Sequence, residues 1–284
     1  MKHRTAGVTW GMALLLTGVL GGCGGAAVSK ASPTSPFPPF VSQEMISIKP
    51  RTTLPLMAPT FVPRTPAFIV GTTKHDRYLT ATDQPGGVLA GHYHVNVFVT
   101  PTPIPVNAPS LDGMAIPGAE VADFGADRYG SPQQAAATLA GWNADEGFVP
   151  TAQDPYRVAD VGSGIQARVY SGGAAVGARN TSVQWQAGPW TFEVNNNANN
   201  ALVPVAQQIV RFVHSHPLPA ADAGLVVINF FSSWPGSRTY DRIKGAAVQS
   251  DAMWTSGSIK YTVGTGNPLT VLQMTASMRP FRVP

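Results

Sequence analysis

Trp185-Gln186-Ala187-Gly188-Pro189-Trp190-Thr191-Phe192-Glu193-Val194 is answered 69 residues later by Trp254-Thr255-Ser256-Gly257-Ser258-Ile259-Lys260-Tyr261-Thr262-Val263. Trp, Gly, a large apolar residue, an aromatic and Val recur at the same five positions. Alternation at period two on either side of a glycine is the pattern of a tight β-hairpin. Each run is followed by a polar Gly/Asn stretch and then by apolar residues at helical spacing. The first predicted helix spans about Ala201 to His214, with Leu202, Val205, Ala206, Ile209, Val210 and Val213 on one side, and ends before Pro217. The second spans about Leu269 to Met278 and ends before Pro280. Strands at Gln166–Ser171 and Leu225–Ser232 precede the two hairpins. The C-terminal half therefore reads as a duplicated strand–hairpin–helix unit. The fold class is α+β, an antiparallel sheet packed by a few helices.

Two roles are open to Trp185, Trp190, Phe192, Trp254 and Tyr261. Aromatics at period two fill the space between sheet and helix, or they line a ligand cleft. Upstream, His92 to Val99 alternates as a strand, with Tyr93, Val95, Val97 and Val99 on one face and His92, His94, Asn96 and Phe98 on the other. Phe68-Ile69-Val70 fits a short strand. Ser131-Pro132-Gln133-Gln134 opens a helix that runs to about Trp142, with serine at the N-cap, proline at N1 and Gln134 at the capping-box position.

The N-terminus carries an address. Lys2, His3 and Arg4 precede an apolar stretch, Val8 to Leu20, and then small residues and the single cysteine, Cys23. That is the layout of a secretory signal, too short for a settled membrane span. Leu20-Gly21-Gly22-Cys23 resembles a bacterial lipobox. The resemblance implies cleavage between Gly22 and Cys23 and diacylglycerol on the Cys23 thiol. It predicts a signal peptide over 1–22 and a protein anchored by lipid on the extracytoplasmic face of the cell membrane, or of an outer membrane if the cell has two. The partners it implies are the membrane, through the anchor, and an envelope protein or small apolar ligand.

Cleavage there leaves 262 of the 284 residues, enough for a proper core. With Lys2 and Arg4 gone, 17 basic residues face 15 acidic ones. No Lys/Arg cluster gives a footprint for nucleic acid. With Cys23 lipidated, no thiol is left for a disulfide, a thiolate nucleophile or a zinc–sulfur site. Residues 23–66 carry prolines at 33, 36, 38, 39, 50, 55, 59, 63 and 66. Proline removes backbone donors and disfavours helix before it, which predicts a disordered tether. Val41–Ile48 is the one stretch within it compatible with a brief strand or helical turn. Residues 67–160 then form the N-terminal part of the α+β domain and 161–284 the C-terminal part.

Catalytic chemistry finds little support. His92-x-His94 and His214-x-His216 have ligand spacing, but no third ligand stands near either pair. His214 and His216 suit a helix C-terminus. Asp145-Glu146 and Asp76 with Asp83 are the carboxylate pairs available for glycoside chemistry, and isolated loop acids are ordinarily solvated. Gly162-Ser163-Gly164 is a turn signal, and no nucleophile elbow, Walker loop or dinucleotide fingerprint is present. Gly172-Gly173 and Asn195 to Asn200 fit hairpin ends. No metal and no cofactor is expected, and the chain does not read as an enzyme.

From Gly162 to Pro280, the Trp-x-x-Gly hairpin, its amphipathic helix and the Ser277-Met278 that follows resemble small sheet-plus-helix units of extracytoplasmic bacterial lipoproteins. More distantly, the unit is similar to the curved-sheet carriers of lipoproteins and lipids and to their relatives in envelope-stress signalling. The resemblance implies a non-enzymatic interaction or ligand-binding module, with a carrier of a lipid or other apolar molecule as the alternative. A filled core favours the first and a continuous apolar cavity the second.

Overall fold

The computed structural model describes residues 35–63, 78–83, 87–111, 119–146, 148–171, 181–196, 201–231, 242–243 and 246–282. All belong to one compact unit, Ser35–Pro284. Cys23, Phe68–Val70, Asp76, Gly172-Gly173 and Asn197–Asn200 lie outside the described residues.

The first elements overturn an expectation. The proline-rich stretch is folded from Ser35 onward. It forms helix α1 (Pro39–Ile48), a 3-10 turn (Lys49–Arg51) and strand β1 (Met57–Pro59). Its prolines sit where they cost little: Pro38 at the N-cap and Pro39 at N1 of α1, Pro50 in the first positions of the 3-10 turn. Between them Phe37, Val41, Met45 and Ile48 recur at helical spacing and are buried, and Leu54, Leu56, Ala58 and Val62 continue the burial. Residues 35–63 are thus a strap across the domain.

Then come β2 (Tyr78–Thr82), β3 (Val88–Leu89), β4 (His92–Thr100) and β5 (Ala119–Arg128), followed by α2 (Pro132–Glu146). Ser131 Oγ accepts the N–H of Gln134 at 3.2 Å, and Gln134 Oε1 accepts that of Gly130 at 2.9 Å, a capping box shifted one residue upstream on its return bond. β6 (Tyr156–Asp160), β7 (Gln166–Ser171), β8 (Thr181–Ala187) and β9 (Trp190–Asn196) form a meander ending in α3 (Leu202–Ser215). β10 (Ala223–Phe231), β11 (Arg242–Ile243), β12 (Ala246–Ser256) and β13 (Ile259–Thr265) lead to α4 (Pro268–Ala276) and β14 (Met278–Pro280). The last helix is shorter than its pattern predicts. Asn267 caps its start, accepting from Leu269 N at 3.0 Å and Thr270 N at 3.2 Å. Its end falls at Ala276 because Met278–Pro280 pairs with the strap strand β1.

The main sheet has twelve strands in the order β2-β4-β5-β13-β12-β10-β9-β8-β7-β6, with β3 on β4 and β11 on β12. It is antiparallel except for β9–β10. There α3 carries the chain back across the sheet, so β10 starts where β9 started and runs beside it in the same direction. The two parts of the domain share this sheet, since β13 sits between β5 and β12.

One face carries the core. Tyr93, Val95, Val97 and Val99 join Phe124, Phe192, Ile228, Trp254 and Val263 in one cluster with the apolar sides of α1, α3 and α4. The opposite face is largely polar, with a smaller cluster where Leu139 and Trp142 of α2 meet Leu225, Val227 and Met253. Gly224 is needed for close packing: a Cβ there would fall 2.4 Å from the Trp190 ring. Among the described residues no helix is long and apolar enough to cross a membrane.

Candidate functional site

Both Trp/Gly hairpins form. Gly188 and Gly257 turn them with φ +60° and +57°, values a side chain would strain. The five aromatics divide into two groups. Trp185 and Phe192 are cross-strand partners whose rings stack 5.1 Å apart and nearly parallel. Trp190, Trp254 and Tyr261 form a second set, with Trp254 5.2 Å from Tyr261 and 6.1 Å from Trp190. All five are buried, and Trp190 Nε1 donates to Pro219 O at 3.3 Å.

A cavity of about 140 Å³ opens beside the first group. Trp185, Ala187 and Phe192 form its sheet wall, Ile209, Val210, Val213 and His214 of α3 its other side, and Ser163 and Ile165 of the β6–β7 turn complete it. The helix wall follows from the i, i+1, i+4 placement of Ile209, Val210 and Val213 on α3. The turn wall depends on a hairpin in which Gly162, Ser163 and Gly164 all have positive φ, with Ile165 N donating to Gly162 O at 2.9 Å. The lining is apolar except for the exposed Ser163 and His214. It is a pocket for an apolar group. Trp190, Trp254 and Tyr261 do not line it.

The two histidine pairs stand on different faces. His92 Nδ1 lies 2.5 Å from Asp127 Oδ1, and Asp127 is also 3.3 Å from Lys260 Nζ. His94 Nε2 lies 3.2 Å from Asn96 Oδ1 and 3.9 Å from Asp123 Oδ1. His214 lines the pocket, and His216 stacks on Phe212 at 4.4 Å at the end of α3. Four strands separate β4 from β9. No group of three or more His, Cys, Asp or Glu side chains able to hold a metal occurs among the described residues.

Several acids, Glu44 and Glu193 buried and Glu120 and Asp123 half-buried, carry no signal in the sequence. Burial lifts Glu193 to about 7, against the pull of donors from Asn195, the Phe148 N–H and Gln184. Its Oε2 has no hydrogen-bond partner. Burial, and then the nearby Asp123, lifts Glu120 to about 8. Asp123 itself is raised by burial, with His94 opposing, and it lies over Gly264, where a Cβ would fall 2.3 Å from its Oδ2. Glu44 of α1 is fully buried, near Asp83 and Arg51. Asp83 is therefore not a free loop acid: it is ion-paired with Arg51. The side chains of Asp145 and Glu146 are outside the described residues. Set against known proteins, the chain matches no protein-family model, no curated protein and no solved structure.

Proposed function

We propose that this chain is an extracytoplasmic lipoprotein, anchored through Cys23, whose domain is a non-enzymatic binding module. Its pocket takes one apolar group of side-chain size. The observation that carries this reading is the cavity beside Trp185, Phe192 and α3. About 140 Å³ is close to the roughly 150 Å³ apolar cavity that accepts benzene in a well-studied engineered protein. It suits an aromatic ring or a branched aliphatic end, and it is too small for a long acyl chain. Among the described residues, buried apolar side chains of the sheet and of α1, α3 and α4 form one cluster along this seam. That balance favours the interaction module over the lipid carrier. The duplicated unit belongs to the same proposal. In this view β8–β9–α3 and β12–β13–α4 are copies, and the cavity lies under the helix of the first.

Methyl NMR tests the pocket. Benzene or indole titrated into the full chain should shift the methyl signals of Ile165, Ile209, Val210 and Val213. Val213→Trp, which fills the space, should abolish the shifts while leaving the fold intact. Unmoved methyls at millimolar probe would sink the pocket reading. A stoichiometric long-chain lipid in native mass spectrometry would replace it with the carrier.

A further inference from the structure

We propose that Glu44 is a proton-controlled latch: protonated, it lets α1 lie against the edge of the main sheet, and ionised, it favours opening of α1 and the strap.

Glu44 is wholly buried on α1, in the middle of a strap whose other buried side chains are apolar except for Thr52, which donates to Ala90 O at 3.1 Å. Among the described residues, the charged groups facing it are Asp83, at the end of β2, and Arg51, in the 3-10 turn. The Arg51 guanidinium is already committed. Arg51 Nη2 is ion-paired with Asp83 Oδ2 and is 3.4 Å from Ser47 Oγ, and Arg51 Nε donates to Ser47 O at 3.1 Å. Among the described residues, two buried carboxylates therefore share one cation, and a second negative charge in this space is opposed by the first. The remaining polar neighbours are neutral. Asn107 Nδ2 donates to Ser47 Oγ at 3.2 Å, and Asn107 Oδ1 accepts the Asp83 N–H at 3.0 Å. Asn107 is held with φ +56°, a conformation that side chains other than glycine seldom adopt. The cluster is thus built across three separate segments, and it holds the strap to β2 through groups that respond to pH.

The direction follows from burial. Burial, then Asp83, lifts Glu44 from its ordinary 4.5 to about 7, with Arg51, Asn107 and Ser47 pulling back. An opened strap exposes Glu44 to water and lets it ionise near its ordinary value. Docking is therefore at full strength below about pH 4.5 and weakens as pH rises to about 7. Each pH unit of that difference is a factor of ten, so the opening constant should rise on the order of a hundredfold. The apolar burial of Val41, Met45 and Ile48 keeps the docked form dominant throughout, so the change is one of opening frequency. On the lipoprotein reading, an open strap also adds its own length to the chain between Cys23 and the sheet.

Hydrogen exchange of the full chain between pH 4.5 and 8, corrected for intrinsic rates, tests the latch. Amides of α1 should lose on the order of a hundredfold in protection relative to those of α3 as pH rises. Glu44→Gln, and independently Glu44→Leu, should hold α1 protection nearly constant over the range. Wild-type α1 protection that stays flat with pH would overturn the proposal, as would a glutamine variant that follows the wild-type curve. The wild-type curve decides by itself if either variant fails to fold.

Discussion

Trp254→Ala and Trp185→Ala remove the same side chain from equivalent positions of two hairpins, yet the surroundings predict different costs. Trp254 is 1% exposed, and its indole lies between Trp190 and Tyr261. Removing a buried large aromatic costs about 3–5 kcal/mol in lost transfer energy and unfilled space. The two ring contacts, each worth roughly 0.5–1.5 kcal/mol, place Trp254→Ala at the upper end, about 4–5 kcal/mol. Trp185 is almost as buried, but one side of it faces the cavity. It makes no contacts across that gap, and the space it leaves joins an existing opening. Its loss should cost about 3 kcal/mol, the lower end of the range. Urea unfolding at 25 °C, followed by far-UV circular dichroism, measures both. Total stability of a domain is only about 5–15 kcal/mol, so Trp254→Phe serves if the alanine variant does not fold, with about half the loss. A Trp254→Ala change below about 1 kcal/mol would refute the core assignment. A Trp185→Ala loss larger than that of Trp254→Ala would refute the argument from the cavity.

Two further outcomes are expected. Cys23→Ser should stop incorporation of labelled palmitate and release the protein from membrane fractions; continued labelling would defeat the lipid-anchor reading. Glu193, lifted to about 7 by burial, contributes stability that is complete below about pH 4.5 and is lost as pH rises through 7. Glu193→Gln should therefore match the wild-type melting temperature near pH 4.5 and exceed it at pH 8, by the equivalent of about 3 kcal/mol; a difference that does not change with pH would show that Glu193 is not held protonated.

Much of the architecture is legible where the periodicity is strong. The alternation at His92–Val99 puts Tyr93, Val95 and Val97 in the core and leaves Phe98, beside a β-bulge, outside the main cluster. Leu202, Ala206, Ile209 and Val210 recur every three or four residues, and the helix they imply begins one residue from its predicted start. The Ser131 and Gln134 capping signal marks the start of α2 to the residue. The parallel β9–β10 pair is less visible, because local pattern fixes strand faces but not which strands become neighbours.

The strap and the buried acids escape a sequence reading for the same physical reason. A proline count registers the donors that are missing, but not whether each proline falls at a helix start or a strand edge, where no donor is required. Residues 35–63 look like a tether by composition, yet Phe37, Val41, Met45 and Ile48 carry a helical period through them. Glu44 interrupts that period on the buried side, where a charged residue argues for solvent. Its burial becomes understandable only with β2 in place, since Asp83 and Arg51 come from segments far apart in sequence. Glu193 is similar: alternation points it away from the core, and the Phe148 segment then covers it. In both places tertiary cover, not local pattern, buries the carboxylate and pushes its pKa up. The polar face of the sheet is therefore not uniformly solvated, and proton uptake on folding is a property of how the chain is overlaid on its sheet.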